Sequence, residues 1–151
     1  MSKYGPITNY LPHRPPMVLI DEIIDVTMTQ GRCRTTIKPD CVFAIDGKVH
    51  PTAMLEFVAQ ACAIGVGVMS EKLNERPRLG FIIGCREMTF AIDHYSVGDV
   101  LEISVTKILG QDLIGAFNCT VTRDGVVCTT VHLSVVDAEL AGAQLAAGAD
   151  A

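Results

Sequence analysis

The 151-residue sequence predicts an α+β fold in which a curved antiparallel β-sheet wraps around one long central α-helix. Three observations lead to this prediction. One apolar stretch of helical length lies near the middle of the chain, segments with the composition of strands precede it, and several alternating segments follow it. A helix that is apolar on every side has to be surrounded by protein, and a sheet curved around it achieves this.

The central helix is predicted from about Thr52 to Lys72, with Pro51 suited to its first position. Between residues 53 and 69 every residue is apolar or glycine except Glu56 and Gln60. Small residues would let the sheet approach the helix closely, and they are Ala59, Ala61, Ala63, Gly65 and Gly67.

Segments with strand composition lie on both sides of this helix. Before it, residues 17–28 and 33–39 form a predicted hairpin that turns at Gln30-Gly31, and residues 40–51 form a loop with its turn at Asp46-Gly47. After it, apolar and polar residues alternate with a period of two, which indicates half-buried strands. The later predicted strands are 79–92, 100–109, 113–122 and 126–136, with a tight turn at 123–125.

This order of elements is the hot-dog architecture, in which the sheet encloses the helix. We expect residues 1–137 to form a single hot-dog domain. The remaining residues, 138–151, are rich in Ala and Gly without an apolar pattern, so we expect a flexible tail.

The bulk composition argues against several classes of function. The formal net charge is −5 and no run of Lys or Arg occurs, so we expect no nucleic-acid partner. The six cysteines show no metal-ligand spacing, which predicts buried free thiols in a reducing compartment and no metal site. There is no glycine-rich phosphate loop, and we expect no cofactor. The first sixteen residues lack a signal-peptide core, and the central apolar run contains a carboxylate, so we expect a cytoplasmic protein without a membrane span.

Glu56 is the strongest candidate for a catalytic residue. An unpaired carboxylate is expensive to bury, and burial favours the protonated form, which can act as a general acid if a base lies nearby. Gln60 follows at i+4 on the same helical face, where its amide can hydrogen-bond the carboxyl and orient it. The alternative is a structural polar pair that satisfies only itself or a partner subunit.

Two histidines are candidates for the base. His50 directly precedes the predicted helix, where a loop residue can reach a bound acyl chain, and the alternative is a loop or N-cap histidine. His13 lies in the Pro-bounded turn LPHRPP, and the alternative is a structural role in locking that turn.

The start of the helix is a further candidate for substrate binding. The backbone N–H groups of Thr52, Ala53 and Met54 have no intrahelical partner if the helix begins there. A thioester carbonyl that accepted hydrogen bonds from them would have its α-proton acidified, as in an oxyanion hole.

Three stretches together resemble the 3-hydroxyacyl-[acyl carrier protein] dehydratases of the FabZ/FabA superfamily. YLPHRPPMVLIDEIIDV resembles the family opening, LPHR-x-P followed by a strand, and LEFVAQACAIG resembles the helix motif with its Glu and Ala-Gln. REMTFAIDHYSVGDVLEISV is similar to the stretch in which an Arg-x-x-x-Phe strand meets a V-x-P-G-D turn. The similarity runs from about Tyr10 to Val136. The loop before the helix, with Phe, then Asp-Gly, then Pro, is most similar to the ApeP-like branch.

The resemblance implies elimination of water from a 3-hydroxyacyl thioester, carried by acyl carrier protein or coenzyme A, to give the trans-2-enoyl product. It implies that Glu56 assists departure of the hydroxyl group and that Arg86, in the Arg-x-x-x-Phe stretch, contributes to substrate binding. In the family the catalytic histidine stands fourteen residues before this Glu, where the present chain has Val42. The base is therefore sought in His50, with His13 as the alternative.

The resemblance also implies a dimer in which two helices lie side by side and each active site uses both subunits. A homodimer, a higher oligomer and a heterodimer with a second dehydratase are all compatible with the sequence. Three functions remain open at this point. They are a dehydratase of fatty-acid or polyene-type biosynthesis, a hot-dog thioesterase in which Glu56 activates water, and a non-catalytic partner subunit of a dehydratase.

Overall fold

The computed structural model describes residues 2–75, 80–110 and 114–138, together with Gly142 and Gly148. Within them one long helix, α1 (Met54–Lys72), follows a 3-10 turn at Pro51–Ala53. The strands are β1 (Glu22–Val26), β2 (Gln30–Thr36), β3 (Ala44–Ile45), β4 (Lys48–Val49), β5 (Gly80–Phe90), β6 (Tyr95–Ser96), β7 (Val100–Gly110), β8 (Ile114–Arg123) and β9 (Val126–Asp137).

Six of these strands form one antiparallel sheet in the order β1-β2-β7-β8-β9-β5, and β3, β4 and β6 form a small second sheet. The large sheet curves around α1, which packs against β2, β7, β8 and β9. The predicted architecture, a curved antiparallel sheet around one central helix, is therefore confirmed.

The alternation in the later strands explains why the sheet has one apolar face. On β7 the side chains of Leu101, Ile103 and Val105 are buried, and Ile103 lies opposite Val121 of β8 while Val105 lies opposite Cys119. The residues between them face the other side of the sheet, because successive strand side chains point in opposite directions. The period of two in the sequence thus predicted the core face correctly.

The first hairpin differs from its prediction. β1 begins at Glu22 instead of residue 17, because the backbone of Met17 and Leu19 bonds to the Gln60 side chain instead of to a neighbouring strand. The turn also comes earlier than predicted, since Thr27 N–H donates to Gln30 O over 2.7 Å and β2 already begins at Gln30.

Two predicted turns are confirmed by their backbone angles. Asp46 and Gly47 both have positive φ, and so do Asp124 and Gly125. Two successive residues of this kind match the twist of a two-residue hairpin, and Gly adopts the conformation without a steric cost. The predicted loop 40–51 therefore contains a small hairpin, β3–β4, immediately before the helix.

The helix is less enclosed by its own chain than its composition predicts. A stripe of α1 remains open, with Leu55, Ala59 and Ala63 partly exposed and Val66 39% exposed. The edge strand β5 is also uncovered, with both faces exposed along most of its length. Pro51–Lys72 is long and apolar enough to span a membrane, but half of it is buried against the sheet, as in the core helix of a globular fold.

The cysteines follow the prediction only in part. Cys33, Cys62, Cys119 and Cys128 are buried free thiols, but Cys85 is exposed because it lies on the uncovered edge strand. Burial raises the pKa of the Cys33 thiol to about 12 and raises that of Cys62 well above its usual value. The predicted tail, 138–151, lies outside the described residues apart from Ala138 and two glycines.

Candidate active site

Glu56 lies in the first turn of α1 with its side chain 29% exposed. The sequence predicted a helix surrounded by protein, and in the single chain one stripe of this helix remains open. Glu56 lies at the border between the core and that stripe, so its side chain is partly exposed.

Gln60 holds Glu56 through a buried network of hydrogen bonds. The Gln60 side-chain carbonyl accepts from Leu19 N–H over 2.9 Å, and its Nε2 donates to Met17 O over 2.7 Å and to Glu56 Oε1 over 3.0 Å. Leu19 N–H can only donate and Met17 O can only accept, so the orientation of the amide is fixed. Glu56 Oε1 is therefore an acceptor in this arrangement.

This orientation determines where a proton on Glu56 would be carried. Since Oε1 accepts from Gln60, the acid form of the carboxyl has its hydrogen on Oε2. Gln60, which is 1% exposed, thus does more than pair with Glu56. It bonds the segment around residues 17–19 to the helix and leaves one carboxyl oxygen open for chemistry.

His13 is the histidine that the structure brings to Glu56. Its Nε2 lies 3.4 Å from Glu56 Oε1, and its side chain is 30% exposed, so both groups border the same opening. The other ring nitrogen, Nδ1, is buried and has no hydrogen-bond partner among the described residues. Nε2 is therefore the ring nitrogen of His13 that borders this opening.

His50 has a different environment. Its Nδ1 lies 2.8 Å from Thr52 Oγ1 and accepts from Thr52 N–H over 3.3 Å, so it caps the 3-10 turn before α1. Its exposed ring contacts Phe90 edge to face, with ring centroids 6.4 Å apart. In the described part of the chain, the His50 ring therefore contacts Thr52 and Phe90 instead of the Glu56 carboxyl group.

The N–H groups that were expected to be free at the helix start have partners within the chain. Thr52 N–H donates to the His50 ring, Ala53 N–H donates to His50 O over 3.0 Å, and Met54 N–H reaches Pro51 O and Thr52 O. The reason is that the first turn is a 3-10 turn, which uses donors that an α-helical start leaves unpaired.

Arg86 is not brought to Glu56 within a single chain. It lies on the exposed edge strand β5, at an irregularity where Cys85 pairs with Leu133 and Glu87 pairs with His132. Among the described residues no group of His, Cys, Asp and Glu has the arrangement of a metal site.

The described part of the chain also contains cavities that have neither Glu56 nor His13 in their walls and that were not predicted from the sequence. One of about 130 Å³ lies beside the His13 turn, with Pro15, Pro16, Leu19, Ile37 and Phe57 in its walls. Another, of about 270 Å³, lies along the C-terminal half of α1 and has a mainly apolar lining that includes Gly65, Val66, Met69, Val105 and Phe117.

The sheet wrapped around a helix, with a carboxyl and an imidazole meeting at the open stripe, defines a hot-dog protein of the dehydratase type. The chain belongs to the ApeP-like family, because the family model described as ApeP dehydratase matches residues 5–146. This agrees with the FabZ-related character and the ApeP-like branch that the sequence predicted.

Individual relatives agree with this assignment. The chain is 29% identical over 136 residues to the 3-hydroxyacyl-[acyl-carrier-protein] dehydratase FabZ of Acinetobacter baylyi, covering 85% of this chain and 90% of that protein. It is 26% identical to the FabZ of Acinetobacter baumannii, with 85% and 91% covered. Among solved structures it matches the dehydratase heterocomplex ApeI:P from Xenorhabdus doucetiae, with a TM-score of 0.85 at 28% identity, covering 89% of this chain and 92% of that one.

More distant structures share the fold alone. A hypothetical thioesterase from Streptococcus pneumoniae TIGR4, solved with coenzyme A, matches with a TM-score of 0.60 at 12% identity, covering 77% of this chain and 84% of that one.

Proposed function

We propose that the protein eliminates water from a 3-hydroxyacyl thioester to give the trans-2-enoyl thioester, with Glu56 and His13 as the proton-transfer pair. The observation that carries this proposal is the 3.4 Å approach of His13 Nε2 to a carboxyl group whose other oxygen remains open. A general acid and a general base have to reach the same substrate, and these two groups border one opening.

The proton transfers balance as follows. His13 Nε2 takes the proton from C2 of the thioester, and the electron pair of that bond forms the C2–C3 double bond. Glu56 donates the proton on Oε2 to the 3-hydroxyl group, which leaves as water. The resulting imidazolium and carboxylate are adjacent and stabilise each other. Loss of the Nε2 proton to water and protonation of Oε2 by water then restore the starting state. Both groups border the same opening, as a syn elimination requires.

A carrier-bound substrate is favoured over other alcohols because the two Acinetobacter relatives are named 3-hydroxyacyl-[acyl-carrier-protein] dehydratase. For this chain, acyl carrier protein and coenzyme A thioesters are both to be tested. A place in fatty-acid or polyene-type biosynthesis in the cytoplasm fits this substrate and the free cysteines.

A second subunit fits the surface that the single chain leaves open. Among the described residues β5 pairs with β9 and has no strand on its other edge, and its exposed apolar side chains include Phe81, Ile83 and Phe90. An exposed apolar edge strand is a template for pairing with another chain. We expect such a subunit to cover the open stripe of α1 as well. The matching dehydratase heterocomplex supports a different chain as the partner, and a second copy is the alternative.

The test is to incubate the purified protein, alone and with a candidate second dehydratase subunit, with 3-hydroxyacyl and saturated acyl thioesters. Enoyl product is expected from the first substrate and no free thiol from the second. Glu56→Gln should lower enoyl formation by about 10²- to 10⁴-fold, the usual contribution of a general acid. Turnover that survives this substitution, or thiol release from the saturated thioester, would contradict the proposal.

A non-catalytic partner subunit is the second candidate. Two observations favour it. Val42 occupies the position where the FabZ-type dehydratases have their catalytic histidine, and a dehydratase heterocomplex is among the matching structures. In that case the protein alone would give no product, the mixture would, and Glu56→Gln in this chain would leave the mixture fully active.

A further inference from the structure

We propose that Arg14 is a positioning residue that keeps His13 within reach of Glu56, an inference that rests on the proposed function. Arg14 Nη1 donates to Leu11 O over 3.0 Å and to His13 O over 2.7 Å. The backbone carbonyl of Arg14 accepts from Met17 N–H over 2.9 Å. One guanidinium therefore fixes a carbonyl before His13 and the carbonyl of His13 itself.

The turn that carries His13 has few other means of holding its shape. It is anchored at one end by buried Tyr10 and Leu11 and at the other by buried Leu19 and Ile20. Between these anchors are three prolines, which have no N–H to donate to a neighbouring segment. Gln60 holds the later half of the turn through Met17 O, so the earlier half depends on Arg14.

Small movements of this turn matter because the contact between His13 and Glu56 is already long. At 3.4 Å from Nε2 to Oε1, a further displacement of about 1 Å separates the two groups, and a misplacement of that size can cost about 100-fold in rate. The bonds of Arg14 go to backbone carbonyls of the turn. Its influence on the reaction therefore passes through His13.

A double-mutant cycle tests this dependence. We expect Arg14→Ala to lower kcat about 10- to 100-fold with KM within about twofold, because geometry is lost and substrate contacts are kept. Arg14→Ala in a His13→Ala background should cause no further loss, since a positioning residue has nothing left to position. Arg34→Ala is the matched control, as Arg34 pairs with Glu22 over 3.2 Å on the sheet, and it should leave kcat unchanged. Independent, multiplying losses in the double variant would overturn the proposal.

A second readout does not need turnover. In ¹⁵N spectra of the histidine rings, Arg14→Ala should move the His13 Nε2 signal to the position it takes in Glu56→Ala, because both substitutions remove the contact between Nε2 and the carboxyl oxygen. Arg34→Ala should leave the signal in place. An unchanged His13 signal in folded Arg14→Ala protein would overturn this inference. A wild-type protein that forms no enoyl product would contradict only the proposed function, because the signal can be measured without turnover.

Discussion

Two segments bring a histidine toward the N-terminal half of α1, and they are tied to the molecule in different ways. The lead-in segment, residues 4–20, forms hydrogen bonds directly to the helix at two positions. Tyr10 Oη donates to Glu71 near the C-terminal end of α1, and Gln60 bonds the backbone of residues 17–19 near its N-terminal end. The loop segment, residues 41–50, pairs with β6 and ends in the cap that His50 makes on Thr52. The first segment is attached to the element that carries the carboxylate, and the second attaches mainly to its own small sheet.

The close packing of the lead-in segment on the helix depends on one glycine. A Cβ atom on Gly67 would lie 2.7 Å from Tyr10 O, closer than real contacts allow. The absence of a side chain at this position lets the backbone of the lead-in segment approach the helix. His50 is six residues from Glu56 in sequence and His13 is forty-three away, yet His13 is the one that contacts the carboxyl group. The contacts of the segment that carries a histidine therefore decide whether it reaches Glu56, and the distance in sequence does not.

The largest effect that would test this comparison is expected from His13→Ala. Removing the imidazole nearest to Glu56 should lower kcat for enoyl formation about 10²- to 10⁴-fold, the usual contribution of a general base. KM should change little, because a general base acts mainly in the transition state. The measurement is steady-state enoyl formation, with thermal unfolding to verify the fold. Activity within a few-fold of the wild type would remove His13 from the mechanism.

The sequence allowed more of the fold than of the site to be predicted. Hydrophobic periodicity depends on local burial, so β7 and β8 were predicted within one residue at each end, and the helix was predicted apart from its 3-10 first turn. Glu56 and Gln60 were singled out as candidates because two polar residues in an apolar helix are conspicuous. The choice between the two histidines depended on a contact across forty-three residues, which periodicity does not report. The bonds of Gln60 to the backbone of residues 17–19 were missed for the same reason.

An intermediate effect is expected from Gln60→Leu. The substitution introduces an apolar side chain of similar size and leaves Leu19 N–H and Met17 O without the partners they have now. Each group left unsatisfied costs about 1–3 kcal/mol, so the free energy of unfolding should fall by about 2–6 kcal/mol. Urea unfolding measures this loss, and kcat should fall with it because Glu56 and the His13 turn lose their common support.

Gln30→Leu is the control for that experiment. Gln30 is exposed at the start of β2, and its hydrogen bonds to other described residues use only its backbone atoms, so its replacement should change the free energy of unfolding by no more than about 0.5 kcal/mol. Equal losses for the two glutamine substitutions would show that the bonds between the lead-in segment and the helix contribute nothing specific.

The smallest effect is expected at His50, whose nearness in sequence made it the first candidate for the base. His50→Ala removes the acceptor for Thr52 N–H and should lower the free energy of unfolding by about 0.5–2 kcal/mol, the usual cost of losing an N-cap. His50→Asn keeps a side-chain acceptor at that position and should restore most of this stability, since Asn is among the preferred N-cap residues. Neither variant should change kcat by more than about twofold, because His50 acts here on the helix start and not on the carboxyl group. A large loss of kcat in His50→Asn, with stability preserved, would instead assign the base to His50, acting on the Glu56 carboxyl of a second subunit.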